Sequence, residues 1–259
     1  MNETDDLLVQ RDGGELWLRL NRPQARNAIN WNVRRALREQ LLEAERDSSV
    51  RAVVIAGTEV AFCSGGDIKE MGRGWEDSKA KLDFAGEIVQ CIARMPKPVI
   101  AAVQGHVAGA GIGLALACDL IYASETAVIS PAFVHRGISP DMSSSYWLTK
   151  ALGVSQAKQL LLTANRIDAD RALALGLFTE VIAGEDFEAE LRARVARLSN
   201  GPTVAIAQIK RLVNAAAEND LAAQLALETE AQELIVATED HHAAIRAFSE
   251  KRTPVFVGR

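Results

Sequence analysis

The stretch "KPVIAAVQGHVAGAGIGLALACD", residues 97–119, decides how the chain folds. Its first half, "VIAAVQG", is a short apolar run with β-branched residues, bounded by Pro98 and Gly105, and reads as a buried strand. Its second half, "GAGIGLALACD", is built of glycine, alanine and leucine and reads as a helix that packs closely on its neighbours. The apolar character continues to Ala123, so a membrane span must be weighed. Glycine, histidine, glutamine and aspartate interrupt the run, and its two halves have different periods. A buried strand–turn–helix fits better than a span.

Similar units lie on either side. "VRAVVIAG" (50–57) is another buried strand, "TEVAFCSGGDIKEM" (58–71) a glycine-containing loop, and "SKAKLDFAGEIVQCIARM" (78–95) a helix stopped by "PKP". Downstream, "LIYAS" and "AVIS" read as two short strands. Near the start, "DLLVQRDGGELWLRLNRP" alternates around Gly13–Gly14, as a hairpin does. Val33, Leu37, Leu41 and Ala44 then recur at helical spacing behind Asn30, a suitable N-cap. Strands alternating with helices predict an α/β core with a mainly parallel sheet. After residue 142 the pattern is nearly all helix, apart from "LFTEVIA": roughly 143–152, 154–164, 168–175, 186–199, 202–217, 220–237 and 239–250. The expected division is a core over 1–195 and a helical C-terminal region over 196–259.

Composition narrows the functional classes. Of 259 residues, 48% are hydrophobic, enough for a large core, and 24% are charged, which argues against wholesale disorder. The net charge of −5 and the lack of a basic stripe argue against nucleic acid or an anionic membrane as partner. Cys63, Cys91 and Cys118 are far apart and odd in number, as expected of reduced thiols in a cytoplasmic protein. The acidic opening "MNETDDLLVQRDGG" is not a signal peptide. His241 and His242 are adjacent on a helix and point about 100° apart, so they do not make one metal face. No metal site and no separate cofactor are expected.

Three glycines alternate at 109, 111 and 113. A dinucleotide fingerprint would need its third glycine at 114. The bland reading is close helix packing. A chemical reading adds to it: the start of a helix presents free N–H groups, and a second loop, "FCSGGDI", offers another. Two such donors converging on one oxygen would form an oxyanion hole.

The motifs "NRPQARNAIN", "AFCSGGDIKEM", "KPVIAAVQGHVAGAGIGLALACD", "LTANRIDADRALALGLFTEVI" and "AIRAFSEKRTPVF" follow in that order. Together the chain resembles the enoyl-CoA hydratase/isomerase (crotonase) superfamily from about Leu16 to Phe256. The resemblance implies a spiral of ββα units with a C-terminal helical trimerisation region. It also implies an acyl-CoA thioester as substrate, with CoA as part of the substrate, and a homotrimer or a dimer of trimers. Carried over by position, the N–H groups of Gly66 and Ala110 form the oxyanion hole. Ser64, Gly65, Asp67, Ile68 and Lys69 border the CoA, as do Arg26 and Ala28, and Lys251 resembles a family lysine that approaches the CoA phosphates. For Arg26 and Lys251, a plain solvated charge is an equal alternative.

The resemblance also locates a departure. The two glutamates of hydratase members fall at Gly113 and Phe133 here, and neither residue can orient water or deliver a proton. Asp141, in "ISPDMSSSYW", stands where some enoyl-CoA isomerases, ring-epoxide isomerases and 4-chlorobenzoyl-CoA dehalogenases carry a catalytic aspartate. The dehalogenase histidine would fall at Gly86. Asp141 also suits a helix cap, although Ser143 could take that job, and both readings stand at this point. A single carboxylate suits a 1,3-proton shift: it accepts a proton from one carbon and returns it two carbons away. Phe133, on the substrate side, and Met142 would partly desolvate Asp141 and raise its proton affinity, and Met71, Trp75, Phe84 and Trp147 are candidates for an apolar acyl pocket, with ordinary core packing as the alternative. His135 and Glu70 are read as surface or CoA-flanking. A hydratase, a non-catalytic acyl-CoA binder and an RNA-binding member are the competing classes.

Overall fold

The computed structural model describes residues 6–58, 61–71, 74–184 and 186–259. The chain opens with the expected hairpin, β1 (Leu7–Asp12) and β2 (Glu15–Leu20), paired antiparallel across the Gly13–Gly14 turn. Helix α1 (Trp31–Arg46) follows, with the Asn30 side chain accepting from the Val33 N–H at 2.8 Å. Its buried face is Val33, Arg34, Leu37, Leu41 and Ala44.

Three ββα repeats come next. They are β3 (Ala52–Gly57), β4 (Ala61–Cys63) and α2 (Trp75–Arg94); β5 (Val99–Val103), β6 (His106–Ala108) and α3 (Ala110–Leu116); and β7 (Leu120–Ser124), β8 (Val128–Ser130) and α4 (Ser144–Thr163). The first strand of each repeat joins the large sheet and the second joins a small one. The two-residue β9 (Ile167–Asp168) extends the small sheet. Helix α5 (Ala169–Ala174) leads to β10 (Glu180–Ile182), which closes the large sheet. The orders are β1-β2-β3-β5-β7-β10 and β4-β6-β8-β9. From β2 onward the large sheet is parallel. This is the spiral of stacked ββα units that the resemblance implies.

Strands β4 and β6 are three residues each. They are too short to show a period, and the sequence there reads as a glycine loop and a strand-to-helix turn. The break expected at residue 153 is real: Gly153 has φ 75° and ψ 165° inside α4 and divides it in two.

The large sheet is covered on both faces, which is why its strands read as continuous apolar runs. Leu16, Leu18, Val53, Ile55 and Ala101 face inward onto α1–α4. Trp17, Val54, Ile100 and Tyr122 face α6 (Phe187–Ser199), through Phe187, Leu191 and Val195. Helices α7 (Thr203–Ala216), α8 (Leu221–Val236) and α9 (Glu239–Ser249) pack in succession on one another. The buried Lys210 ammonium docks α7 on the core, donating to Asp119 at 2.7 Å and to the Ile92 carbonyl at 2.8 Å. No described helix is long and apolar enough to cross a membrane.

The segment that carries the site is fixed by one amide. Asn27 is 1% exposed; its Nδ2 donates to the Thr58 and Ala61 carbonyls, and its Oδ1 accepts from the Arg22 N–H. Its φ of 57° is left-handed. Asn27→Ala would orphan these groups and place alanine in a strained conformation. Urea unfolding is expected to show a loss of roughly 3 kcal/mol. A loss under about 0.5 kcal/mol would remove this residue from the account.

Candidate active site

The two glycine loops meet. An ideal Cβ on Gly65 would stand 3.1 Å from the Ala108 carbonyl oxygen and 3.3 Å from the Ala110 nitrogen. The loop after β4 therefore lies directly against the start of α3. Ile29 donates to the Gly65 carbonyl at 2.8 Å and accepts from the Asp67 N–H at 3.0 Å. In such a parallel bridge the residue between, Gly66, turns its own N–H away from Ile29. Ala110 is the first residue of α3, so its N–H has no intrahelical partner. Gly66 and Ala110 both line a recess of about 20 Å³, with Ser64, Gly65, Phe133 and Asp141 also in its wall. That volume suits one oxygen-sized group.

The recess shares Met71, Ile138 and Asp141 with a much larger cavity of about 860 Å³. Leu82 and Val89 from α2 and Pro140 and Met142 from the loop before α4 give this cavity an apolar lining. Of the aromatic candidates, Phe133 is buried in the recess wall. Phe84 is not in the cavity; its ring packs on Trp31 at 5.0 Å and lies under the Arg38 guanidinium. Trp147 is also elsewhere, in a groove between α2 and α7. The side chain of Trp75 lies outside the described residues.

Asp141 is not a helix cap. Ser143 holds the N-cap position of α4 and makes no side-chain cap bond either. The Asp141 backbone carbonyl accepts from the Ser144 N–H at 2.9 Å and the Ser144 hydroxyl at 2.8 Å, so the carbonyl, not the carboxyl, ties this residue to the start of α4. Met142 and Ser143 both have left-handed φ, 45° and 61°. Two such non-glycine residues cost on the order of 1–2 kcal/mol each. The strain turns the chain so that the Asp141 carboxyl lies in the wall of both recess and cavity. Among the described residues its buried Oδ1 has no hydrogen-bond partner. Burial raises the carboxyl above its ordinary range, partly offset by the Arg34 charge and by its own backbone N–H.

Gly113 explains why the helix carries no carboxylate of its own. A Cβ there would collide with the Met142 carbonyl oxygen, and would stand 2.7 Å from its carbon and 2.8 Å from Ser144 Oγ. The Asp141 loop fills the space that a side chain at 113 would need.

Arg34 is a site residue that the sequence reading passed over. It is 8% exposed, lines the large cavity, and its Nη1 lies 3.4 Å from Glu70 Oε2. Glu70 also accepts from the Trp31 N–H at 3.0 Å, so it is tied to α1 rather than solvated. The available signal was a cation on the apolar face of α1, beside Val33 and Leu37. Burial pushes the Arg34 guanidinium down from its usual value and the Glu70 and Asp141 carboxylates oppose this, so the group stays charged.

The remaining candidates form a rim. The Arg26 carbonyl accepts from the Ser64 N–H at 3.0 Å, and the Ala25 carbonyl accepts from the Ser64 hydroxyl. Ala28 is buried, and its carbonyl accepts from Arg22. Asp67 is held by Arg22 at 2.8 Å and caps the Lys69 N–H; against the cost of burial, these bonds lower its pKa. Ile68 is 59% exposed and Lys69 is exposed beside it. Arg26 is exposed at the same edge. Lys251 lies beyond α9, exposed, and lines neither the recess nor the cavity. His135 is exposed on the turn after Phe133.

Two outcomes follow from this geometry. Gly113→Ala should push the Met142 carbonyl aside, cost about 1–3 kcal/mol in urea unfolding, and lower turnover by at least tenfold. Full turnover would show that the loop position is immaterial. Asp141 titrates higher in the folded protein than its ordinary 3.8. The folded state therefore binds this proton more tightly than the unfolded chain. The resulting stability is complete below 3.8 and is lost as pH rises through the folded value. Asp141→Asn should melt at a higher temperature than the parent at pH 7, with the difference closing in acid. A lower melting temperature at pH 7 would contradict the burial cost.

The chain is similar to known proteins over nearly its whole length. The family model described as enoyl-CoA hydratase/isomerase matches residues 12–259. A protein of Rhodobacter capsulatus named a probable enoyl-CoA hydratase is 38% identical over 241 residues, covering 93% of each chain. The 1,2-epoxyphenylacetyl-CoA isomerase of Escherichia coli is 32% identical over 258 residues, covering 98% of each. The crystal structure of an enoyl-CoA hydratase from Polaromonas sp. JS666 superposes with a TM-score of 0.92 at 34% identity, covering 97% of this chain and 99% of that one. A spiral of ββα units, two glycine loops that meet at a one-oxygen recess, and these full-length matches make this chain a member of the enoyl-CoA hydratase/isomerase family.

Proposed function

We propose that the protein moves a double bond within an acyl-CoA thioester, with Asp141 as the group that carries the proton. The observation that supports this most directly is Asp141 itself: a half-buried carboxylate with one buried, unpaired oxygen, at the point where recess and cavity join. The thioester carbonyl oxygen occupies the recess and accepts from the Gly66 and Ala110 N–H groups. These donors stabilise the enolate oxygen that forms when a proton leaves the neighbouring or vinylogous carbon. One such donor is typically worth about 100–1000-fold in rate. Asp141 takes the proton from one carbon, giving a dienolate, and returns it two carbons away. No water is consumed and no second acid is needed. The elevated proton affinity of Asp141 suits both halves of the transfer.

Hydration is disfavoured by the same residues. It needs a second group to orient water, and Gly113 has no room for one while Phe133 is apolar. Glu70 is the other carboxylate of the cavity, and its oxygens are engaged by Arg34 and the Trp31 N–H. Dehalogenase-type chemistry is disfavoured as well. Gly86 does stand in the cavity wall, but it offers no imidazole.

The CoA moiety runs outward over the rim. Ile68 and Lys69 supply an apolar face and a cation there, with Arg26 and Ala28 alongside. The protein works as a trimer or a dimer of trimers, which would cover apolar residues such as Val213 and Leu225 on α7 and α8. Lys251 would then meet a CoA phosphate only from a neighbouring copy.

The test is a paired assay on the purified protein. Asp141→Asn should lower kcat for isomerisation of a 3-enoyl-CoA by about 10²–10⁴-fold while leaving the Kd for the CoA ester within about threefold. The parent should hydrate crotonyl-CoA far more slowly than it isomerises. Near-parental isomerisation by the variant, or fast hydration by the parent, would refute the proposal.

A further inference from the structure

Arg34 stands inside the acyl cavity without being needed by the proton transfer just described. A guanidinium is costly to bury in an apolar cavity, and each unpaired N–H there adds to the cost. Glu70 meets Nη1 at 3.4 Å, longer than a good charge-assisted bond. Nη2 would lie 3.7 Å from an ideal Cβ on Gly66, so the head group sits beside the oxyanion loop. Among the described residues Nε, buried out of a ligand's reach, has no hydrogen-bond partner, and Nη2 makes no hydrogen bond either, which leaves Nη2 as the head group's open donor. The cavity around it presents the apolar side chains Met71, Leu82, Val89 and Ile138, with the polar Ser78, Gln90 and Ser139 farther along the wall and Glu70, Lys81 and Asp141 as its other charged groups.

We infer that Arg34 makes this cavity selective for acyl groups that carry an uncharged oxygen, a hydroxyl or carbonyl, beyond the thioester carbonyl. The charge count decides between a neutral and an anionic acceptor. Arg34 already faces two carboxylates, Glu70 and Asp141, whose fields both act on it. A third carboxylate, on the substrate, would add repulsion from two groups against attraction to one. Lys81 does not redress this, because its ammonium is paired with Asp77 at 2.6 Å and with the Glu70 carbonyl at 3.0 Å. A neutral oxygen accepts from Nη2, which makes no hydrogen bond among the described residues, and adds no charge. A plain hydrocarbon chain leaves the donor unpaired, and a site built to bond a polar group discriminates strongly against an analogue lacking it.

This inference rests on the acyl-CoA reading of the site but not on which reaction follows, so its test uses saturated thioesters that cannot react. The full chain is titrated calorimetrically with hexanoyl-CoA, with hydroxyhexanoyl-CoA bearing its hydroxyl at C4, C5 or C6, and with adipoyl-CoA. At least one hydroxy isomer should bind about tenfold tighter than hexanoyl-CoA, and adipoyl-CoA should bind no tighter than hexanoyl-CoA. Arg34→Met should erase the hydroxyl advantage, read as the ratio of hydroxyhexanoyl-CoA to hexanoyl-CoA affinity within that variant. Because Arg34→Met strands the Glu70 charge and could fail to fold, the Arg34→Met/Glu70→Gln pair serves as a second variant. Equal affinities for all hydroxy isomers and hexanoyl-CoA, a hydroxyl advantage that survives either variant, or a preference for adipoyl-CoA would overturn the inference. Failure of every thioester to bind would overturn the acyl-CoA reading and this inference with it, whereas isomerase turnover without oxygen selectivity would overturn the inference alone.

Discussion

Helix α3 is packed backbone against backbone, and the site depends on that constraint. A Cβ at Gly111 would stand 2.7 Å from the Cys63 carbonyl oxygen, and one at Gly113 would strike the Met142 carbonyl. Gly65 approaches the same helix from β4. No methyl group fits at the first two points, so β4, α3 and the Asp141 loop settle at separations that side chains would forbid. The close approach brings Gly66 and Ala110 to the wall of a single oxygen-sized space, with Asp141 also in that wall. Packing and the geometry of the recess are therefore one feature here, and the glycines serve both.

The same site stores unfavourable energy. Met142 and Ser143 hold left-handed backbone angles, Asp141 is desolvated with one oxygen unpaired, and Arg34 is buried with an unpaired Nε. Each would be relieved by a simpler residue. They persist because the surrounding elements are firmly set: the large sheet is sandwiched between two apolar layers, and Asn27 fixes the segment from which Ile29 reaches Gly65 and Asp67. Strain and unpaired polar groups gathered in one cleft of a well-packed domain are what a reaction site requires.

Much of this was legible beforehand. The alternation of strands and helices, the Gly13–Gly14 hairpin, the Asn30 cap and the break at Gly153 all follow from local propensities, which act over a few residues. The two donor loops could be named because a glycine-rich helix start and a glycine loop have local signatures. The three-residue strands β4 and β6 could not, since their hydrogen bonds run to segments distant in sequence. Phe84 and Trp147 were open to both core and pocket readings. Which way an aromatic side chain on a helix faces depends on the neighbouring helix, here the Trp31 end of α1 for Phe84 and α7 for Trp147.

The sequence by itself determined the alternating core, the helical C-terminal region, the two glycine loops and the lack of a carboxylate at positions 113 and 133. Each of these is a matter of which residue stands at which position. Only the tertiary structure decided that Asp141 is not a cap, that a side chain at Gly113 would take the space of the Met142 carbonyl, and that Arg34 and Glu70 line the same large cavity as Asp141. These facts depend on burial and on separations of a few ångströms between segments far apart along the chain, which residue order alone does not encode. A charge on an apolar helix face is visible in the sequence, but what it faces is settled only when the opposite wall is folded into place.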